Sequence, residues 1–146
     1  MKRFALVVTA AVAALMLTAT AALAASPHIV GNPSATVSGN TLTVKASVAG
    51  LGNVETVDLT LTGTVDVFSR CYNRGGNKPQ ADNKQETMTV NSTGTFPVRN
   101  GRTNATFTVS PVSTLNCPGN QVVVIESFSY DLTISYLGQP LGSFSG

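Results

Sequence analysis

The chain has 146 residues, enough for one domain and too few for two. Charged residues make up 11% of it and the formal net charge is +2, against about 25% charged in a typical domain, so neither disorder by self-repulsion nor nucleic-acid binding fits. One His and two Cys leave little material for a catalytic centre, and the composition points to no cofactor and no metal.

Residues 1–24 read MKRFALVVTAAVAALMLTATAALA. Lys2 and Arg3 form a positive start, residues 4–17 are apolar apart from Thr9, and Ala22-Leu23-Ala24 sets small residues where a signal peptidase needs them. The segment predicts a secretory signal peptide cleaved after Ala24 and an exported protein, secreted or held at the cell envelope. A membrane anchor is the alternative, because the uncharged stretch between Arg3 and His28 is long enough to span a bilayer. The small-residue ending, followed by Ser26 and Pro27, favours cleavage, and no second apolar span follows. Residues 25–33 are expected to form a flexible N-terminal segment, and 34–146 a single domain.

Loss of the signal removes Lys2 and Arg3, and the mature chain then carries seven basic and seven acidic side chains. Along the sequence the charge is uneven. Arg70, Arg74, Lys78, Lys84, Arg99 and Arg102 face only Asp82 and Glu86 in the block 70–102, whereas Lys45 stands against Glu55, Asp58, Asp66, Glu126 and Asp131 elsewhere. Ordinary solvated loops would account for such a pattern as well as a basic surface would.

From residue 34 onward the dominant period is two, the period of a half-buried strand. Leu42, Val44, Ala46 and Val48 alternate with polar residues, as do Val57, Leu59 and Leu61. That phase continues through Gly63 to Val65, Val67, Ser69 and Cys71, so Gly63 is expected to mark a bend or bulge in one long strand. Asn100-Gly101 suits a type I′ turn and predicts a two-residue hairpin. Its register would set Phe96 opposite Ala105, Val98 opposite Thr103 and Arg99 opposite Arg102, with Pro97 marking an edge. Like charges directly opposite are unfavourable, so either the two arginines splay into water or an anion sits between them. Further on, Phe128, Tyr130, Leu132, Ile134 and Tyr136 alternate with polar residues, but that phase would turn Glu126 into the core. A phase shift is therefore expected near Glu126 and Ser127. Thr-x-Thr pairs recur at 41/43, 60/62, 87/89, 93/95 and 106/108 without the fixed period of an ice- or polysaccharide-binding array, and read as the polar outer face of strands.

No segment after the signal has helical periodicity. Eight or nine short strands predict an all-β antiparallel β-sandwich, an immunoglobulin-like Greek key first, with a jelly roll or small barrel as alternatives. In an oxidising compartment Cys71 and Cys117 form a disulfide between the two sheets or between a strand and an adjacent loop. Closing that loop is worth roughly 4 kcal/mol at most by chain entropy.

The longest irregular stretch is 72–84, YNRGGNKPQADNK, tethered at one end by Cys71. Its Arg74, Lys78 and Lys84 could donate to carboxylate, sulfate or phosphate, and with Arg99 and Arg102 they form the candidate ligand-binding set. A polar connector carrying a disulfide staple is the alternative for this loop. The CYNRGGNKP at 71–79, the NGR at 100–102 and the CP at 117–118, behind a signal peptide, resemble small secreted bacterial proteins of actinobacterial type with one disulfide. The resemblance implies an exported all-β protein and transfers no catalytic or binding residue.

Three functions compete. The first is a non-enzymatic binding module for a cell-wall polymer, a glycan or an extracellular protein, although the absence of Trp weakens sugar stacking. The second is a structural subunit of an extracellular or envelope assembly, built by strand addition, with GQPLGSFSG at the end of the chain as a weak edge strand. The third, an enzyme, would need His28, expected in the tail, or a carboxylate pair such as Asp58 with Asp66, both on a polar strand face. Asp82-Asn83 has no ladder of oxygen ligands around it, so calcium is not indicated.

Overall fold

Alternation sends one face of each strand inward, and two such faces must cover each other. The computed structural model describes residues 26–77 and 82–146. The expected signal peptide, Ala25 and Lys78 therefore lie outside the described residues. The strands are β1 (His28–Ser38), β2 (Thr41–Ala49), β3 (Thr56–Tyr72), β4 (Asn83–Pro97), β5 (Thr103–Val109), β6 (Val122–Tyr136) and β7 (Gln139–Ser145). They form two antiparallel sheets, ordered β1-β2-β5 and β4-β3-β6-β7. The chain is thus an all-β sandwich. Its second strand pairs with the fifth and its third with the sixth, the crossing pattern of an immunoglobulin-like Greek key. A jelly roll would need eight strands in two Greek keys.

Among the described residues there are seven strands rather than eight or nine, because β3, β4 and β6 run 17, 15 and 15 residues. Both inner faces are aliphatic. Leu42, Val44 and Val48 of β2 and Phe107 of β5 meet Leu59, Leu61, Val65 and Val67 of β3 and Leu132 and Ile134 of β6. Each fully buried aliphatic side chain contributes about 1.5–3 kcal/mol relative to exposure. Phe96 and Phe107 pack edge to face with ring centroids 5.1 Å apart, joining the sheets beside the β4–β5 corner.

Gly63 lies within the unbroken strand β3 and is not a bulge. It keeps its partners Val90 and Leu132 with no shift in register. Its φ is +139°, and a Cβ there would lie 2.0 Å from the Asp131 carbonyl oxygen. The phase shift expected near Glu126 is a true bulge. Phe68 pairs with Ser127 and Ser69 with Ile125, leaving Glu126 as the extra residue. The bulge turns its carboxylate to the outer face, where it accepts from the Tyr72 hydroxyl at 2.5 Å and meets Arg70 Nε at 2.9 Å.

Two expectations are corrected. The segment 25–33 is not a free tail as far as it is described. β1 starts at His28, with His28, Ile29 and Val30 paired to Ala49, Val48 and Ser47, and a register shift follows before Ser34. That irregularity, with Gly31 and Pro33 inside it, hid the period of two from the sequence. The Asn100-Gly101 turn exists, with both residues at positive φ, but the hairpin stops after Arg99 and Arg102. β4 pairs with β3 and β5 with β2, so the pairings of Phe96 with Ala105 and Val98 with Thr103 do not form. Instead the Val98 amide donates to the Glu55 carbonyl, and the Thr103 hydroxyl donates to the Pro97 carbonyl at 2.8 Å. The turn is a corner between sheets.

Candidate functional site

The loops gather at two ends of the sandwich. One end holds the β1–β2 turn, the β3–β4 loop and the 110–121 segment between β5 and β6. The other holds the β2–β3 loop and the 98–102 corner. β3 runs from one end to the other, about 50 Å at roughly 3.3 Å per residue. The five residues expected to form one ligand set are therefore divided. Arg74 and Lys84 belong to the first end, Arg99 and Arg102 to the second, and Lys78 lies outside the described residues.

At the first end the cations are exposed or already engaged. Cys71 is fully buried on the inner face of β3 and joins Cys117 with Cα atoms 5.5 Å apart. The disulfide therefore ties a strand to an adjacent loop and not to the opposite sheet. Asn40, in the β1–β2 turn, holds the same segment. Its side-chain oxygen accepts from the amides of Val112 at 3.0 Å and Ser113 at 2.7 Å, and its Nδ2 donates to the Ser113 carbonyl at 2.9 Å. Ser113 and Ser69 share a buried hydroxyl–hydroxyl bond of 2.8 Å. Glu86 accepts from the amide and hydroxyl of Thr114. Lys84 pairs with Glu86 at 2.6 Å and also reaches the Thr114 hydroxyl. Burial would raise the Glu86 carboxyl, but the bonds from Lys84 and Thr114 and the Lys84 charge outweigh it and hold it below the usual carboxylate range. Lys84 thus straps the loop and does not wait for a ligand. Arg74 is exposed in a tight turn closed by bonds from Gly76 to Asn73 and from Asn73 to Asn77.

At the second end two arginines are held side by side. The amide of Arg99 donates to the Arg102 carbonyl at 2.8 Å and the Arg102 amide to the Arg99 carbonyl at 3.0 Å. The Leu51 amide pins the turn from behind through the Gly101 carbonyl at 3.0 Å. Residues paired this way project to one face of their ribbon. Both arginines line one open cleft of about 460 Å³ on the outer face of the β1-β2-β5 sheet, within the usual size of small-ligand sites. Val30 and Pro97 give it apolar wall, and Ser47 and Asn104 give it polar floor. Ser47 donates to Asn104 Oδ1 at 2.7 Å, which leaves the Asn104 amide nitrogen as a donor. Neither arginine has an ion-pair partner among the described residues. A shallower hollow of about 260 Å³ shares Val30, Ser47 and Asn104 and continues toward Lys45 and Thr106.

Charge divides by sheet, which the sequence blocks did not show. β1, β2 and β5 carry Lys45 and no acid, and the 98–102 corner carries Arg99 and Arg102 beside Glu55 of the β2–β3 loop, whose carbonyl takes the Val98 amide, whereas β3, β4, β6 and β7 carry Asp58, Asp66, Glu86, Glu126 and Asp131 against Arg70 and Lys84. The chemistry of the cleft is a cluster of donors on a locally cationic face. His28, expected in the tail, stands exposed at the start of β1 with Nδ1 2.8 Å from the Ser26 carbonyl. Asp58 and Asp66 lie on the outer face of β3, each accepting from a threonine, Thr95 and Thr87. Eight residues of strand, about 26 Å, separate them, so they do not form a working pair. Among the described residues no group of three His, Cys, Asp or Glu is placed to hold a metal ion, and no helix is long and apolar enough to cross a membrane.

No protein-family model and no curated protein matches the chain. Asn40 and Ser113, which fix the 110–121 segment, were not singled out by sequence reasoning. The one signal for them was Ser69, a polar residue in the inward phase of β3, which requires a buried partner.

Proposed function

We propose that the chain is a secreted, non-enzymatic binding module that takes an anionic ligand in the Arg99/Arg102 cleft. The observation that carries this reading is that Arg99 and Arg102, bonded backbone to backbone across the turn, line one cleft and have no carboxylate partner among the described residues. Like charges opposite each other across a turn are unfavourable on their own, and a carboxylate, sulfate or phosphate would relieve them with charge-assisted, bidentate bonds. The charged residues that line the cleft, Arg99 and Arg102, are both cationic, which suits an anion and disfavours a cation. Lys45 stands opposite Thr106, four residues along β5 from Arg102. At roughly 3.3 Å per residue that is about 13 Å. The groove therefore suits a linear polymer with repeated negative charge, such as an anionic cell-envelope polymer or sulfated glycan, more than a small free anion.

The test is retention of the purified protein on an immobilised sulfated glycan over a salt gradient. Wild type is expected to bind at low salt and elute as salt rises, because exposed charges are screened beyond about 8 Å at physiological ionic strength. The Arg99→Ala/Arg102→Ala variant is expected to pass unretained, and Arg74→Ala to behave as wild type. Equal retention of all three would reduce the cleft to a solubilising surface.

A further inference from the structure

We infer that β4 is a self-association edge, through which two copies of this chain join their four-stranded sheets into one. Each sheet has two open edges, and three of the four are blunted in the ways that ordinarily prevent pairing. β1 contains Pro33 and a register shift. β5 is only seven residues long. β7 is equally short, contains Pro140, and shifts register against β6. β4 has none of these protections. It pairs with β3 over 15 residues without a shift, its single proline is the last residue, and 87–96, TMTVNSTGTF, holds no charge.

The direction of its free backbone groups follows from two bonds. Val98 donates to Glu55, and Cys71 donates to the Asp82 carbonyl, in the same register as the β3–β4 ladder. In an antiparallel pair, bonded and non-bonded positions alternate. The even-numbered residues of β4 therefore bond to β3, and the odd-numbered ones, including Thr87, Thr89, Asn91, Thr93 and Thr95, point their N–H and C=O groups away from it. Among the described residues no strand takes them up. Pro97 is also odd-numbered, so its missing N–H breaks no bond within the sheet. The side chains of these residues are exposed on the outer face of the sheet.

This edge is complementary to itself. A two-fold axis at Asn91 would set Thr89 opposite Thr93 of the second copy and Thr87 opposite Thr95, giving about ten backbone bonds. Threonine pairs across strands are favourable. The antiparallel arrangement also carries the charged start of β4 to the corner end of the other copy, where Lys84, already paired with Glu86, comes opposite Val98. A parallel pairing would stack Lys84 on Lys84.

Sedimentation equilibrium from micromolar to millimolar protein tests the inference. Wild type is expected to pass from monomer to dimer in this range. Asn91 would face its own copy, so Asn91→Lys and Asn91→Asp should each weaken the dimer at least several-fold, while an equimolar mixture of the two should restore it. Both changes are at an exposed position, and an unchanged melting temperature verifies folding. The control is Ser129→Lys, at an exposed position of β6 away from the edge, which should leave the dimer intact. A wild type that stays monomeric throughout, an Asn91→Lys variant that associates like wild type, or a mixture that stays monomeric would each overturn the inference.

Discussion

Asn40 satisfies three backbone groups of a loop more than seventy residues away in sequence. Its replacement by Ala leaves the Ser113 amide and carbonyl without their side-chain partner, while the Val112 amide keeps its bond to the backbone carbonyl of residue 40 at 3.2 Å, so the cost is about 1–3 kcal/mol for each Ser113 group left unpaired. Urea unfolding of Asn40→Ala is expected to show that loss, with the slope of the transition unchanged. Glu86 has a different signature. Its folded pKa is depressed, so its contribution is fully present above the ordinary carboxylate value of 4.5 and is lost as pH falls through the folded value. Hydrogen exchange at the Thr114 amide should accelerate as pH drops below that range, beyond the intrinsic change in exchange rate. Glu86→Gln should remove that excess pH dependence. Lys84 was legible in the sequence as a cation but not as a strap, because its partners Glu86 and Thr114 depend on where the 110–121 segment folds.

At the scale of elements, β3 depends on one glycine and one disulfide. Gly63→Ala would place a methyl group inside the Asp131 carbonyl and force a side chain into a strained φ. A loss of at least about 1–3 kcal/mol is expected by thermal or chemical unfolding. Reduction of the disulfide, which closes 46 positions of sequence, should lower stability by at most about 4 kcal/mol. Each kcal/mol shifts the melting temperature of a domain this size by roughly 3–6 °C, so calorimetry with and without reductant reads the effect directly. Alternation identified the inward faces of β2, β3 and most of β6, and the misplaced phase of Glu126 located its bulge. The same alternation could not assign strands to sheets. Phe96 and Phe107 both point inward whether their strands pair side by side or confront each other across the core, so a hairpin and a corner share one pattern. The start of β1 was hidden for a local reason: Gly31 and Pro33 break the period where the backbone breaks register.

For the whole molecule, the decisive feature is how the fold distributes charge. Residues 25–146 hold seven acids and seven bases, yet the strands of the four-stranded sheet carry five acids against Arg70 and Lys84, and those of the other sheet carry Lys45 and no acid. The basic block in the sequence left open whether loop and turn share one end of the sandwich. The length of β3 puts Arg74 and Arg99 at opposite ends, and strand topology is a long-range property that no local spacing reports. The opposed arginines were legible because a type I′ turn fixes its flanking pair whatever the strands do next. The proposed function rests on that pair, and an amide-resolved NMR titration with a sulfated oligosaccharide tests it most directly. The shifts are expected to cluster at 98–104 with Val30 and Ser47, and to fade as salt is added. Shifts centred on 73–77, or none near Arg99 and Arg102, would contradict the assignment of the cleft.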